Sequence, residues 1–79
     1  MAAQIAYVLI QTEVGMAASV AAQILTIPGV LNAEDVTGPY DVIVRASAES
    51  VDELGRQVIS KLHEIPGITR TLTCPVVNL

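Results

Sequence analysis

The residue types best equipped for chemistry are concentrated in one short stretch, Val36-Thr37-Gly38-Pro39-Tyr40-Asp41-Val42. It sets a hydroxyl, a phenol and a carboxylate beside a Gly-Pro pair. Pro fixes φ and Gly admits φ > 0, so the pair breaks a strand and makes a turn. Strand-like residues lead in and out, which predicts a β-hairpin tip, with residues 31–37 returning as 41–46. A loop tip on a rigid sheet is where binding groups are presented. The same residues also have plainer uses. Gly38 and Pro39 are turn formers first, Asp41 can bond the turn backbone, and Tyr40 can anchor an interface.

The other chemistry-bearing residues exclude several classes. A single cysteine, Cys74, rules out an internal disulfide and a paired-cysteine metal or redox motif. A single histidine, His63, rules out a multi-histidine metal site, so no metal or cofactor is expected. His63 reads as a polar or cationic group near a helix C-terminus, and Cys74 as a small packed side chain. Net charge is −4 and the pI about 4.5. Arg45, Arg56, Lys61 and Arg70 are scattered, so there is no basic footprint for direct binding to nucleic acid.

These residues must be held by a small scaffold. Its 79 residues make one domain, spanning 1–79. Hydrophobic residues make up 52% and mean hydropathy is +0.57, more apolar material than one small core needs. Part of it is therefore expected to be buried against another subunit. No charge falls between Glu13 and Glu34, yet polar and turn residues interrupt that run before about 18 apolar residues accumulate. No basic segment precedes the apolar residues 5–10, so no secretory signal is read. The expectation is a soluble, cytoplasmic protein without a membrane partner.

Residues 6–11 predict a strand that is apolar on both alternate sets, hence buried on both faces. Residues 16–26 predict an Ala-rich helix whose apolar face is Val20, Ile24 and Ile27. Residues 30–37 and 41–47 form the hairpin strands, the first carrying Asn32, Glu34 and Asp35 as an edge strand would. Ser50-Val51-Asp52-Glu53 matches a capping box. The helix it opens runs to about Glu64, with Val51, Leu54, Val58, Leu62 and Ile65 as its stripe. Gly55 falls on that stripe, which predicts a close approach of helix to sheet. Residues 69–76 form the last strand, and Pro75 makes it an edge.

Ile27-Pro28-Gly29-Val30 and Ile65-Pro66-Gly67-Ile68 occupy equivalent places after each helix. Two strand-helix-strand halves joined by the hairpin give an α+β, ferredoxin-like βαββαβ fold. Right-handed crossovers put both helices on one face of a four-stranded antiparallel sheet. The first and third strands are central. The other sheet face carries either Ile5, Tyr7 and Leu9 or Ala6, Val8 and Ile10. Left in water it would forfeit about 25 cal/mol per Å² of apolar area, so two copies are expected to stack through it as a dimeric α+β barrel.

A βαββαβ module with Ile-Pro-Gly-Val after the first helix, Thr-Gly-Pro-Tyr-Asp at the hairpin, and Ile-Pro-Gly-Ile-Thr-Arg-Thr-Leu-Thr opening the last strand resembles the C-terminal effector-binding domain of the Lrp/AsnC transcriptional regulators. The resemblance runs from about Ala6 to Val77. Those regulators carry an N-terminal helix-turn-helix, whereas Met1-Ala2-Ala3-Gln4 leads straight into the first strand here. The chain looks like a stand-alone form, and DNA binding is not carried over. The resemblance implies a homodimer, assembly of dimers into a larger ring, and an amino-acid effector bound between dimers. It places Thr37, Gly38, Tyr40 and Asp41 at the ligand. Backbone N–H groups of the turn would take the carboxylate and Asp41 the ammonium group. Thr71 and Thr73, on one alternate face of the last strand, are added as hydroxyl donors, although Thr is also simply a good strand residue. Mixed assemblies with full-length Lrp/AsnC regulators are the implied route to gene control. The competing reading is a small dimeric α+β barrel enzyme, a cofactor-independent monooxygenase or isomerase. Tyr7 and Asp41 are its only plausible pocket groups, and the otherwise aliphatic interior argues against it.

Overall fold

The computed structural model describes residues 3–77. Strand β1 (Gln4–Thr12) leads through a turn to helix α1 (Ala17–Ile24). Strand β2 (Val30–Asp35) and strand β3 (Val42–Ala48) form the hairpin. The second helical rod has three parts: α2 (Val51–Leu54), a π-helical turn (Gly55–Ile59) and α3 (Ser60–Leu62). Strand β4 (Ile68–Pro75) ends the fold. The sheet order is β2-β3-β1-β4, with every neighbouring pair antiparallel. This is the ferredoxin-like α+β arrangement, with β1 and β3 central and the Asn32/Glu34/Asp35 strand and the Pro75 strand at the edges. Among the described residues, no helix is long and apolar enough to cross a membrane.

Strand periodicity decides which half of β1 meets the helices. Ala6, Val8 and Ile10 are fully buried, as are Val42, Val44 and Ala46 of β3. They pack under Val20 and Ile24 of α1 and Leu54, Val58 and Leu62 of the second rod. Each fully buried Val, Leu or Ile contributes about 1.5–3 kcal/mol relative to an exposed one. The alternate set, Ile5, Tyr7 and Leu9, faces away from the helices. Cys74 lies opposite Tyr7 on that same open face and is exposed, so it is not the packed side chain that its residue type predicts. The reason is register: the edge strand turns Thr71 and Thr73 toward the helix layer and Leu72 and Cys74 away from it.

The second rod departs from the predicted single α-helix. Residues four apart drift by about 40° per turn on an α-helix. Leu54, Val58 and Leu62 are four apart, and all three are buried. The π turn absorbs the excess: the Ser60 N–H donates to the Gly55 C=O five residues back. This winding turns Gly55 outward. A Cβ there would meet nothing within 4 Å, so the predicted close approach to the sheet does not occur. Val51 is likewise exposed, not part of the buried stripe.

The repeat is written into the backbone. Gly29 and Gly67 both adopt φ +98°, a conformation L side chains rarely take. Ser47 N–H donates to the Gly29 C=O, and Glu13 N–H to the Gly67 C=O, each at 2.8 Å. Each following strand opens with one extra residue: Leu31 in β2 and Thr69 in β4 have no partner of their own across the ladder. Such bulges twist and re-aim a strand end.

Candidate functional site

The connection between β2 and β3 is longer than a tight hairpin. It spans residues 36–41, because pairing stops at Asp35 and resumes at Val42. Four hydrogen bonds hold it. Val36 N–H donates to the Asp41 C=O at 2.8 Å and closes the loop. Asp41 N–H donates to the Ile10 C=O at 2.8 Å. Thr12 N–H donates to Asp41 Oδ2 at 2.8 Å. Gln11 Nε2 donates to the Pro39 C=O at 3.0 Å. The Asp41 side chain thus ties the loop to the end of β1, a use its position next to a turn did not reveal.

Thr37 and Gly38 are exposed, Tyr40 and Asp41 half-buried. Gly38 has φ +149° and open space where a Cβ would stand. Asp41 Oδ1 has no hydrogen-bond partner among the described residues, so one carboxylate oxygen stays available to a cation.

Thr71 lies opposite Ile10, and Ile10 lies opposite Val42, so Thr71 and the loop share one end of the sheet. They are separated by β1. Two strand spacings amount to about 10 Å, so the loop and Thr71 are not in direct contact. Thr73 is opposite Val8, farther from the loop along the sheet. Of the predicted residues, the fold joins Thr37, Gly38, Tyr40 and Asp41 directly, brings Thr71 to the same end, and leaves Thr73 apart.

A hollow of about 250 Å³ opens at this end as well, lined by His63, Ile68, Thr69, Arg70 and Thr71. Of these only Thr71 is singled out as a site residue by the sequence reading, because His63 and Arg70 are seven residues apart and both border the hollow only through the chain reversal at Pro66-Gly67.

Among the described residues no polar or charged side chain is buried. Tyr7 is on the opposite face of the sheet from the layer between sheet and helices, and Asp41 is in the loop beyond its end. The two groups an enzymatic reading needs do not converge.

A family model, the Lrp/AsnC ligand binding domain, matches residues 5–78. The chain belongs to this family. An uncharacterised HTH-type transcriptional regulator of Pyrococcus horikoshii is 44% identical over 54 residues, 68% of this chain and 36% of the regulator. The chain therefore resembles roughly a third of that relative's length. The crystal structure of TTHA0845 from Thermus thermophilus superposes with a TM-score of 0.88 at 28% identity, covering 96% of this chain and 95% of that one. A transcriptional regulator of Neisseria meningitidis, solved as a complex with L-Met, shares the fold at a TM-score of 0.80 and 19% identity, over 95% of this chain and 50% of that one. The Lrp/AsnC resemblance and the ferredoxin-like fold expected from the sequence both stand. The regulatory character of the family also weighs against the enzymatic alternative.

Proposed function

We propose that this Lrp/AsnC ligand-binding domain is a non-catalytic, amino-acid-sensing and oligomerisation module forming a single unit over residues 1–79. The effector's ammonium group engages Asp41 Oδ1, and its carboxylate engages the N–H groups of the loop around Gly38, with Thr37 and Tyr40 flanking. The observation that carries this reading is the loop itself. Its backbone is fixed by four hydrogen bonds, while one face of Gly38 and one oxygen of Asp41 stay open. A fixed loop loses little entropy on binding. The L-Met complex of the Neisseria regulator, on the same fold, supports an amino acid as the ligand class.

In this reading a second molecule completes the pocket where dimers meet in a ring, bringing a Thr71 to the loop across the roughly 10 Å that two strand spacings put between them in one subunit. Thr71 and Thr73 would then act from a neighbouring subunit. Dimers would form through the open sheet face, and output would run through mixed assembly with full-length Lrp/AsnC regulators, in the cytoplasm and without direct DNA contact.

Native mass spectrometry with and without each of the twenty amino acids tests the reading. The expected result is ligand mass retained on a multi-subunit species for a subset of them. Unchanged spectra with all twenty, together with flat calorimetric titrations, would overturn it. Co-purification with a full-length regulator tests the output separately.

A further inference from the structure

The two edges of the sheet are finished differently. In an antiparallel ladder alternate residues direct both N–H and C=O to the same neighbour. Val76 N–H donates to the Ile5 C=O at 2.8 Å, and the Gln11 C=O also faces β4, where Thr69 Oγ1 reaches it. In the same register Cys74, Leu72 and Arg70 bond to β1, so Thr71, Thr73 and Pro75 turn their backbone groups outward. Pro75, which has no N–H, thus stands where the ladder to β1 asks for none. At the other edge Ser47 N–H points to β2, where it meets the Gly29 C=O. The same alternation joins Arg45 and Ile43 to Asn32 and Glu34, and turns the Ala33 N–H outward. That outward donor is already taken, because Asn32 Oδ1 accepts it at 2.9 Å. Glu34 and Asp35 add charge to the same edge, which discourages pairing. Strand β4 has no such protection. Among the described residues no side chain bonds the Thr71 or Thr73 backbone, and the only charged residue of Ile68–Pro75 is Arg70.

We propose that β4 is an adhesive edge that pairs antiparallel with β4 of a second copy, centred on Leu72, and so joins stacked dimers to one another. In this register Thr71 and Thr73 oppose the partner subunit's Thr73 and Thr71, and each of their outward N–H and C=O groups finds a mate. A slide of two residues one way sets Pro75, with no N–H to give, opposite Thr71. The same slide the other way sets the bulged Thr69 opposite Thr73. A slide of one sets outward groups opposite residues whose groups point to β1, and mismatches the two faces. The side chains agree with the Leu72 register. Thr meets Thr on the helix side, a favourable cross-strand pair. On the open face Leu72, 44% exposed, meets its own copy and carries the row of Ile43, Leu9 and Leu72 across the seam. Arg70 falls opposite the partner subunit's Cys74, so no like charges meet. The edge is thus complementary to itself, as a two-fold contact requires.

The proposal rests on the stacked dimer of the proposed function. One pair of short edges does not hold two free subunits against the entropy of association. A stacked dimer presents two such edges, and pairing at both propagates into a ring where the angle closes. The bonds use backbone alone and leave the threonine hydroxyls on the helix side. A Thr71 that reaches a loop belongs to a different subunit from the one across the seam.

The test is amide hydrogen exchange by NMR on the full chain at rising concentration, with native mass spectrometry of the same samples. Thr71 and Thr73 amides should exchange freely while the mass is that of a dimer. They should slow by about tenfold or more as larger species appear, with the Leu72 amide slow throughout. Thr73→Pro removes one outward N–H without touching the ladder to β1 and should stop assembly at the dimer. Thr73→Val keeps that N–H and should assemble like the unmodified chain. Species above the dimer with freely exchanging Thr71 and Thr73 amides, or Thr73→Pro assembling like Thr73→Val, would overturn the edge contact and leave the stacked dimer standing. A chain that stays dimeric at every concentration would do the same. Slow Thr71 and Thr73 exchange in a dimer of the Leu9→Arg chain would instead uphold the edge and sink the stacked face.

Discussion

At Asp41 one carboxylate oxygen accepts the Thr12 N–H and the other has no partner among the described residues, so a single side chain joins stability to the proposed ligand contact. Two substitutions separate these roles. Asp41→Ala strands a half-buried backbone donor and should cost about 1–2 kcal/mol in urea unfolding at fixed protein concentration. Asp41→Asn keeps an acceptor oxygen for Thr12 and should lose well under half of that. Both remove the charge that meets an ammonium group, so both should weaken amino-acid binding in calorimetry. Equal affinity in Asp41→Asn would remove the ammonium contact from the proposal. Gly29 and Gly38 make a second residue-level comparison. A Cβ at Gly29 would stand 3.0 Å from the Ser47 backbone oxygen, whereas at Gly38 it would meet nothing. Gly29→Ala adds a clash with unyielding backbone to an unfavourable φ, and Gly38→Ala adds only the φ term. Thermal unfolding should show the larger loss at Gly29, by at least about 1 kcal/mol.

Among the elements, the second rod is where local chemistry and packing diverge. Ser50 caps it, with its Oγ accepting the Glu53 N–H at 3.1 Å. The reciprocal arm of a capping box is missing, because the Glu53 carboxylate turns instead to Arg56 and Gln57. Ser50→Ala should cost about 1 kcal/mol, as lost caps do. Gly55 sits at a helical φ of −60° with open space beside it, so Gly55→Ala should stabilise the chain by up to about 1 kcal/mol in denaturant unfolding. The Arg56 guanidinium holds the Glu53 carboxyl below its ordinary range. A lowered carboxyl contributes above its unfolded value and loses the contribution as pH falls through its folded value. The pair lies at the surface, Arg56 exposed and Glu53 half-buried, so the effect is small and screened by salt. The same rod marks the boundary of what the sequence discloses. Its cap, its Pro-Gly stop and the inward set Leu54, Val58 and Leu62 follow from local residue types and spacing. The π turn does not, because it arises from fitting those three residues to one line on a sheet. The bulges at Leu31 and Thr69 are hidden for the same reason, being defined by a partner strand. So is the Asp41–Thr12 bond, which joins residues 29 apart. The turn at Gly38-Pro39 could be read directly; what holds it still could not.

For the whole molecule, the sheet face away from the helices is the surface through which the proposed dimer would form. Leu9 lies opposite both Ile43 and Leu72, so an apolar row crosses three strands. Tyr7 lies opposite both Arg45 and Cys74 in the next row on the same face. Tyr7, Ile43 and Leu72 are 42, 38 and 44% exposed in the single chain. An aliphatic patch of this kind, central on a sheet and without a helix over it, gains from burial at about 25 cal/mol per Å². A second copy stacked by a two-fold axis would cover it with the same surface. Leu9 is the centre of the row, and its side chain points away from the core formed by Val8 and Ile10. Leu9→Arg should therefore leave the folded subunit intact by circular dichroism while shifting its mass in light scattering from dimer to monomer. Because association adds stability by mass action, the unmodified chain should also melt at lower temperature on tenfold dilution, and the Leu9→Arg chain should not. A variant that keeps the wild-type mass and the same dilution dependence would mean that dimers do not form through this face. The pocket proposed between dimers would then need another geometry.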